Sequence, residues 1–343
     1  MARIAINGFG RIGRLFFRQA FGMPELDIVV VNDLGDVDNF AYLLSHDTVY
    51  RGYGREVKSQ ISNLKNSFVV DGKEIVVLQV KDAAQLPWKD LKIDIVVECT
   101  GLFESFEGAK VHLAAGAKRV VISAPAKDAD GVLGKTVLIG VNDTAMHDAA
   151  ISSNASCTTN SAAPVIQILS ENPGILKAVL GTVHAMTATQ NLADGPVRGS
   201  ADFRRGRAAS QNIVPSTTGA AIAVTRAVPE LAGKFDGVAF RVPVATGSLS
   251  DITFVAKRPT SVEEINSILT DASHTPRWEG ILAVTNDQLV SSDIVGQPYA
   301  AIVDLNFTKV VDGDLVKVLS WYDNEWGYVS MLVKHVLAAG NML

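Results

Sequence analysis

The sequence is poor in cysteine, in long apolar runs and in net charge, and each shortage excludes a class of protein. Its 343 residues include two cysteines, Cys99 and Cys157, so a framework of several disulfides is impossible. No stretch reaches the roughly 18 consecutive apolar residues of a membrane-spanning helix. The formal net charge of −5 gives no basic footprint for nucleic acid. We therefore expect a cytoplasmic protein that binds neither membranes nor nucleic acids.

Two further absences narrow the possibilities. The chain leads from Met1-Ala2-Arg3 directly into a strand pattern, so we expect no signal peptide. No group of Cys and His residues has metal-ligand spacing, so we expect no metal. The composition is 48% apolar and 20% charged, which is ordinary for a globular chain with a large core. At domain sizes of about 100–200 residues, the length allows two domains.

The first half of the chain alternates apolar strand patterns with helical ones. Residues 3–7 and 27–32 predict strands on either side of a helix over 14–21, which is a βαβ unit. Further strands are predicted at 94–99, 119–123 and 135–139, with a helix over 108–117. This alternation favours an α/β fold, a Rossmann-type doubly wound parallel sheet.

The pattern changes after residue 150. Strands are predicted at 180–184, 239–242 and 251–255, and helices at 158–171, 218–229 and 328–339. We expect a second, α+β domain with a mixed sheet. The predicted division is a first domain over 1–155, completed by the C-terminal segment 320–343, and a second domain over 156–319.

Three glycines follow the first predicted strand and precede the first helix. Gly8, Gly10 and Gly13 form a G-x-G-x-x-G pattern, and Asp33 lies 20 residues beyond at the end of the second strand. Such glycines let the backbone approach a pyrophosphate at a helix N-terminus, while the acid accepts ribose hydroxyls and repels a 2′-phosphate. The alternative is a structural βα turn with a surface Asp. The full context favours NAD over NADP.

Cys157 lies in the polar run Ser153 to Asn160, where a helix is predicted to begin. A free Cys is commonly a small buried apolar residue. At a helix N-terminus, however, the dipole stabilises the thiolate and lowers the pKa of the thiol. We therefore expect Cys157 to be a nucleophile and Cys99, on an apolar strand, to be inert.

Two residues of the second half lie in settings that suggest a role near this thiol. His184 closes a strand 27 positions after Cys157, and the other five histidines lack a comparable polar strand-end setting. Arg241 lies within an apolar strand, where a charge generally has a partner. The usual role of such an Arg is an ion pair, and a substrate phosphate is the alternative.

Several runs of this chain together resemble phosphorylating glyceraldehyde-3-phosphate dehydrogenases. The resemblance covers essentially the whole chain and is most specific around Cys157. The matching runs are 6–14, 31–34, 122–127, 153–160, 187–190, 194–196, 212–221, 241–243 and 320–328.

The resemblance implies an NAD-dependent oxidation of D-glyceraldehyde 3-phosphate, with inorganic phosphate, to 1,3-bisphosphoglycerate in glycolysis, through a cysteine thiohemiacetal and thioester. Cys157 would be the nucleophile and His184 its base, and Asn324 would hold the nicotinamide carboxamide. It also implies that 1–155 with 320–343 is an NAD-binding domain, that 156–319 is an α+β catalytic domain, and that the protein is a homotetramer. Further cofactor contacts would be Gly8, Gly10, Arg11, Ile12, Gly13, Asp33, Lys81 and Ser123, and the two anion sites, for the substrate phosphate and inorganic phosphate, would use Ser156, Thr158, Thr187, Arg205, Thr218, Gly219 and Arg241.

Three positions depart from the commonest family pattern. The segment 196–203 is about two residues longer than usual, which leaves Arg204 as an alternative to Arg205. Residues 245–247 replace a Pro-containing segment, and Ser161 replaces a second Cys. Two other functions stay open: an erythrose-4-phosphate dehydrogenase, which ends in hydrolysis, and a non-catalytic NAD-binding scaffold.

Overall fold

The computed structural model describes residues 1–61, 66–197 and 202–343, which form two compact units. The first unit comprises Met1–Ala155 with Leu332–Leu343, and the second comprises Ser156–Met331. Residues 320–331, expected in the first domain, group with the second unit. The reason is that Leu315–Tyr322 is a strand inside the sheet of that unit.

The strands of the first unit form one sheet in the order β3-β4-β5-β2-β1-β6-β7-β9-β8. The pairs β3/β4 and β4/β5 are antiparallel, and the pairs from β5 through β2, β1, β6, β7 and β9 to β8 are parallel. The predicted doubly wound α/β fold is thus confirmed. The strands are β1 (Ala2–Asn7), β2 (Leu26–Asn32), β3 (Val57–Ile61), β4 (Asn66–Val70), β5 (Lys73–Leu78), β6 (Ile95–Glu98), β7 (Arg119–Ile122), β8 (Gly134–Thr136) and β9 (Ile151–Ser153), and the helices are α1 (Arg11–Ala20), α2 (Val37–Ser45) and α3 (Phe106–Ala114).

The central strands of this sheet are apolar throughout because helices and loops cover both of their faces. In β1, for example, Ile4, Ala5 and Ile6 are all fully buried. Helix α1 buries Gly13, Phe16, Phe17 and Ala20, which recur at the i, i+3, i+4 and i+7 spacing of one helix face. The strand predicted over 135–139 ends at Thr136, because the amide of Leu138 donates to Asn142 Oδ1 at 2.7 Å instead of extending the ladder.

The sheet of the second unit has the order β11-β12-β10-β13-β16-β15-β14. The pairs β10/β12 and β14/β15 are parallel and the other pairs antiparallel, so the predicted mixed sheet is confirmed. The elements are α4 (Cys157–Glu171), β10 (Ile175–Ala185), β11 (Val214–Thr217), α5 (Ala220–Ala227), β12 (Phe235–Val242), β13 (Ser248–Ala256), α6 (Val262–Ser273), β14 (Leu282–Thr285), β15 (Ala301–Val311), β16 (Leu315–Tyr322) and α7 (Trp326–Gly340), which ends in the first unit.

The register of this sheet determines which polar side chains are neighbours. In the parallel pair β10/β12, His184 lies beside Arg241. In the antiparallel pair β13/β16, Ser248 lies beside Tyr322. These four residues are far apart in sequence, and strand pairing brings them to one edge of the sheet. Helix α4 begins at that same site with Cys157.

Candidate active site

Cys157 is the first residue of α4. Ser156 caps the helix, because its Oγ accepts a hydrogen bond from the amide of Thr159 at 3.1 Å. The first amides of a helix have no carbonyl partner within it, so they are available to stabilise negative charge. The amide and hydroxyl of Thr158 both favour the thiolate of Cys157. The helix start thus surrounds the sulfur with donors.

His184 lies next to the thiol. Its Nε2 is 3.3 Å from Cys157 Sγ, within hydrogen-bond distance for sulfur. The ring is buried at 3% exposure and lies edge-on to the ring of Tyr322, with centroids 6.0 Å apart. The nucleophile and base proposed from sequence therefore meet, which is the first geometric requirement for proton transfer between them.

The pKa of Cys157 departs from the sequence-based expectation. Burial raises the pKa of the thiol, and the guanidinium of Arg241 is the largest influence that opposes this rise. The expected lowering is therefore wrong for this structure, because it weighed the helix start and neglected desolvation. Burial, followed by the charge of Arg241, lowers the pKa of His184 to about 3. His184 is thus neutral at neutral pH.

Arg241 completes a three-residue cluster. Its Nη1 is 2.7 Å from His184 Nδ1 and 3.3 Å from the carbonyl oxygen of Ala185. Burial lowers the pKa of this guanidinium, while Cys157 is the largest influence that raises it. No carboxylate hydrogen-bonds to Arg241 in the described part of the chain. A half-buried guanidinium with this environment is suited to bind an oxyanion.

Tyr322 is a contact that sequence reasoning missed. Its hydroxyl lies 2.9 Å from Thr158 Oγ1 and 2.8 Å from Thr182 Oγ1, so it joins the start of α4 to β10. Burial raises the pKa of Tyr322, and the phenol stays protonated. The only sequence signal was its position in the family-like run 320–328. Tyr322 fixes Thr158 and the ring face of His184 relative to each other.

Asn324 is oriented by a chain of hydrogen bonds that begins next to His184. The amide of Ala185 donates to Ser248 Oγ at 3.0 Å, and Ser248 Oγ donates to Asn324 Oδ1 at 2.8 Å. Thr246 Oγ1 also lies 3.2 Å from Asn324 Oδ1. Because hydroxyl donors satisfy the oxygen, the amide nitrogen of Asn324 is left to donate to a ligand. Neither Ser248 nor Thr246 was predicted from sequence.

The remaining anion-site candidates lie on two loop–helix junctions and one loop. Thr187 Oγ1 is 3.0 Å from Thr189 Oγ1. Thr218 Oγ1 accepts from the amide of Ala220 at 3.2 Å, and Gly219 is the N-cap of α5. Neither threonine hydrogen-bonds to Cys157, His184 or Arg241. The structure therefore joins Cys157, His184 and Arg241 by direct contacts. It leaves Thr187 and Thr218 outside that cluster.

The contacts of the two neighbouring arginines distinguish Arg205 from Arg204. Arg204 pairs with Asp202 at 2.8 Å on the surface. Arg205 donates through Nε and Nη2 to Ser216 Oγ at 3.0 and 2.8 Å, and its charge contributes to lowering the pKa values of His184 and Arg241. This geometry favours Arg205. The insertion expected within 196–203 falls partly on 198–201, which lie outside the described residues.

The glycines of the first unit allow backbone segments to approach very closely. Gly8 has a φ of +95°, and a Cβ there would lie 2.6 Å from the backbone of Cys99. A Cβ on Gly13 would lie 2.1 Å from the carbonyl oxygen of Gly8. Gly10 caps α1 with no side-chain partner, so the helix N-terminus is open to a ligand.

A cavity of about 260 Å³ lies beside these glycines at the carboxyl ends of the parallel strands. Gly8, Gly10, Asp33 and Lys81 line it, together with apolar side chains such as Leu34. The carboxylate of Asp33 already accepts from the amide of Phe9 at 2.6 Å and from that of Gly35 at 3.2 Å. The backbone thereby fixes the carboxylate at the edge of the cavity.

Other predicted cofactor residues do not line this cavity. Arg11 pairs with Asp47, and its guanidinium lies over the ring of Tyr50. Ile12 and Gly13 lie inside the first turn of α1. Ser123 follows β7 and hydrogen-bonds to the thiol of Cys99, whose pKa burial raises to about 12. That shift agrees with an unreactive Cys99.

A buried polar network that sequence reasoning missed lies beneath the cavity. Glu98 Oε2 accepts from Asn7 Nδ2 at 2.6 Å and from His112 Nε2 at 3.1 Å. Glu98 Oε1 accepts from the amide of Thr100 at 2.7 Å. His112 Nδ1 accepts from Trp88 Nε1 at 3.1 Å, so His112 has one consistent tautomer. The network joins the ends of β1 and β6 to α3.

Comparison with known proteins matches both halves of the chain to one family. Residues 2–106 match the family model "Glyceraldehyde 3-phosphate dehydrogenase, NAD binding domain", and residues 156–324 match "Glyceraldehyde 3-phosphate dehydrogenase, C-terminal domain". The chain belongs to the glyceraldehyde-3-phosphate dehydrogenase family. The predicted family and its NAD cofactor are thereby confirmed.

Similar family members come from several bacteria. A glyceraldehyde-3-phosphate dehydrogenase of Streptomyces coelicolor is 46% identical over 99% of both chains. Proteins of the same name from Zymomonas mobilis and Clostridium pasteurianum are 46% and 44% identical, over 96% and 97% of each chain. Because the matches span nearly the full length, the NAD-binding and catalytic halves both have family counterparts in the relatives.

Two negative observations accompany the family assignment. Within residues 1–61, 66–197 and 202–343, no group of three or more His, Cys, Asp or Glu side chains is placed to hold a metal ion. The same residues contain no helix that is long and apolar enough to cross a membrane.

Proposed function

We propose that Cys157 and His184 are the nucleophile and base by which this chain converts D-glyceraldehyde 3-phosphate, NAD and inorganic phosphate into 1,3-bisphosphoglycerate. The NAD-dependent dehydrogenase activity is that of the family. The residue roles are the proposal. The observation that carries it is the 3.3 Å contact between Cys157 Sγ and His184 Nε2 at the start of α4.

The first step joins the thiol to the aldehyde. The proton of Cys157 passes to His184 Nε2, the sulfur forms a bond with C1, and the carbonyl electron pair moves onto oxygen. The amides at the start of α4 stabilise that oxygen. NAD, when bound, would supply the acceptor for the C1 hydride, so that the carbonyl could reform as a thioester while the proton on His184 passes to solvent. Asn324 would hold the nicotinamide carboxamide through its amide N–H.

The second step releases the product. An oxygen of inorganic phosphate attacks the thioester carbon, the C–S bond breaks, and the phosphate proton returns to the sulfur. Two oxyanions must therefore bind near Cys157. We assign the substrate phosphate to Arg241 with Thr187. We assign the attacking phosphate to Arg205 with Ser156, Thr158, Thr218 and Gly219.

An absorbance assay of NADH formation tests this function. With glyceraldehyde 3-phosphate and NAD, steady turnover should require inorganic phosphate, because only phosphate releases the thioester. An erythrose-4-phosphate dehydrogenase would instead turn over erythrose 4-phosphate without phosphate. A non-catalytic scaffold would form no NADH with either sugar phosphate. Either of those outcomes would overturn the proposal.

We infer that the protein is a homotetramer, as the family resemblance implies. The outer face of the second unit's sheet supports this, because apolar side chains alternate outward along two adjacent strands. They are Val179 and Val183 on β10 and Val238 and Phe240 on β12. A second copy of the chain would bury them. Sedimentation at micromolar concentration should give four times the monomer mass, and Phe240→Glu should lower it.

We also place the protein in the cytoplasm. The proposed nucleophile acts as a thiol, and a reducing compartment keeps thiols in that form. Both cysteines are unpaired in the structure. Fractionation of the source cells should recover the protein and its activity in the soluble cytoplasmic fraction, and recovery from an oxidising compartment would contradict this placement.

A further inference from the structure

Three chains of hydrogen bonds converge on the buried carboxylate of Glu98, and each begins at a donor that cannot be reversed. The first begins at the backbone amide of Val80, which donates to Asn32 Oδ1 at 3.0 Å. Asn32 Nδ2 donates to Asn7 Oδ1 at 2.7 Å, and Asn7 Nδ2 donates to Glu98 Oε2 at 2.6 Å. A peptide N–H can only donate, so Val80 determines which way round both asparagine amides lie.

The other two chains of hydrogen bonds also begin at donors. Trp88 Nε1 donates to His112 Nδ1 at 3.1 Å, so the proton of the neutral ring is on Nε2, which donates to Glu98 Oε2 at 3.1 Å. The amide of Leu102 donates to the hydroxyl of Thr100 at 3.0 Å. That hydroxyl donates to Glu98 Oε1, as does the amide of Thr100 at 2.7 Å. An indole or peptide N–H has no lone pair to offer, so neither chain can run backwards.

An ionised carboxylate is the group that satisfies all three chains where they meet, because both of its oxygens accept. An amide at position 98 would place a donor opposite a donor. A reversal at Oε2 would turn over the amides of Asn7 and Asn32, until the N–H and C=O of Val80 both faced like groups. A reversal at Oε1 would instead meet the amide of Thr100. Either arrangement leaves a peptide N–H without its partner, which is costly where water cannot replace it.

The chains bear on function because they end in the wall of the cavity beside the glycines. Glu98 itself lies behind this wall, with its side chain 1% exposed. Strands β1 and β2 end at Asn7 and Asn32, so one carboxylate links the ends of neighbouring parallel strands. The cavity is lined by four members of the chains and by the residues that follow three of them: Asn7 with Gly8, Asn32 with Asp33, Val80 with Lys81, and Thr100.

We propose that Glu98 is a positioning residue for NAD. Its carboxylate keeps the three hydrogen-bond chains in one direction and thereby holds the backbone that approaches the dinucleotide. It acts through Asn7, Asn32 and Thr100 rather than by touching the dinucleotide. This inference rests on the assignment of the cavity to NAD. It adds that the two acceptor oxygens at position 98, more than the shape of the side chain, determine the affinity for NAD.

Calorimetric titration of the ligand-free protein with NAD compares two substitutions that separate acceptor capacity from shape. Glu98→Gln keeps the shape and turns one acceptor into a donor, whereas Glu98→Asp keeps both acceptors and shortens the side chain. We expect the Kd for NAD to rise about tenfold or more in Glu98→Gln, as for one lost buried hydrogen bond, and to rise less in Glu98→Asp. The reverse order, or a Kd within about twofold of wild type in Glu98→Gln, would overturn the inference.

His335→Gln is the control for a general loss of stability. His335 is fully buried in the same unit, and its Nε2 lies 2.7 Å from Ser152 Oγ. Neither residue is among the described residues that line the cavity. The variant should therefore melt at a lower temperature than wild type and still bind NAD with a Kd within about twofold. If it weakened NAD binding as much as Glu98→Gln does, the effect of Glu98 would be on stability alone and the inference would fail.

Asn32→Leu interrupts the first chain without changing Glu98, so it provides the test if a variant at position 98 does not fold. Its Kd for NAD should also rise by about tenfold, and an unchanged Kd would contradict the inference. Failure of the proposed function would look different, because the wild-type protein would then bind no NAD or form no NADH. The inference alone fails when the wild type binds NAD and these variants bind it equally well.

Discussion

His112 in the first unit and His184 in the second are both buried histidines, yet their hydrogen bonds have opposite consequences. His112 has a donor on one ring nitrogen, Trp88, and an acceptor on the other, Glu98. His184 has a donor and an acceptor competing for a single nitrogen. A consistent set of partners fixes one structure. The two partners of His184 Nδ1 do not fix one tautomer in this way.

The same difference extends to the two sites. In the first unit, contacts within the unit fix the groups beside the cavity. The glycines pack against neighbouring backbone, Asp33 accepts from the amide of Phe9, and Glu98 accepts from Asn7. In the second unit, Cys157, His184 and Arg241 form a chain of side-chain contacts, and no carboxylate of the described residues hydrogen-bonds to His184 or Arg241. Backbone contacts therefore fix the candidate dinucleotide site, whereas contacts between three side chains form the candidate catalytic site.

The substitution Cys157→Ser should have the largest effect, and it should change kcat without changing NAD affinity. Removal of the nucleophile should lower kcat by more than roughly 10³-fold, since serine is a far weaker nucleophile without a strong base. NAD affinity should stay within about twofold of wild type, because the glycines and Asp33 that line the cavity of the first unit are unchanged. Stopped assays and NAD titration measure the two quantities. A parallel loss of NAD binding would show that the sites are not separable in this way.

The pH dependence of the free energy of unfolding reports on one buried histidine in each unit, His184 and His335. Burial lowers the pKa values of His184 and His335 to about 3. An unfolded chain therefore binds more protons than the folded one between pH 6.5 and 3, so stability falls as pH falls in that window. Between pH 6.5 and 5 each histidine should remove roughly 2 kcal/mol from the free energy of unfolding.

Urea unfolding at several pH values measures this effect. His335→Gln should remove about half of the pH dependence that the two histidines cause, while His274→Gln, on the exposed end of α6, should leave it unchanged. A wild-type free energy that is flat from pH 6.5 to 5 would contradict the predicted burial cost of both rings.

The substitution Arg241→Ala tests whether the second site binds the phosphate group of its substrate through this guanidinium. A charge-assisted contact is worth about 1.5–3 kcal/mol, so kcat/KM for the phosphorylated aldehyde should fall roughly tenfold to over a hundredfold. Unphosphorylated glyceraldehyde has no such group to lose and should be affected much less. Equal losses for both substrates would mean that Arg241 is structural and that the phosphate binds elsewhere.

The substitution Asp33→Gly, in the candidate dinucleotide site of the first unit, should produce the smallest effect. The variant loses the acceptor for the ribose hydroxyls and the repulsion of a 2′-phosphate. The preference for NAD over NADP, measured as the ratio of kcat/KM values, should narrow by about tenfold. Since the amides of Phe9 and Gly35 also lose their acceptor, a thermal melt should accompany the kinetics. An unchanged cofactor preference would exclude Asp33 as the selector.

Residues whose roles follow from local sequence could be predicted. The G-x-G-x-x-G turn, Asp33 and the helix start at Cys157 each depend on a short segment, and the structure has each of them in the expected element. His184 was also predicted, because a polar strand end is visible locally. Their roles in binding and catalysis stay predictions.

Contacts between elements far apart in sequence could not be predicted in the same way. Tyr322 meets Thr158 across 164 positions, and Arg241 meets His184 across 57. Such contacts depend on the register of the whole sheet, which no local pattern specifies. The expected direction of the Cys157 pKa shift was also wrong, because the burial that raises the pKa of the thiol is a property of the folded chain and not of the local segment.

Helix α7 begins in the second unit and continues into the first unit from Leu332. Part of the first unit is therefore synthesised after the second unit. Leu332, Val336 and Ala339 are fully buried, and His335 Nε2 lies 2.7 Å from Ser152 Oγ. A nascent chain that has emerged only to Met331 contains every described strand of both sheets but lacks the part of α7 from Leu332 onward, which belongs to the first unit. The dinucleotide-binding half, although synthesised first, is therefore completed last.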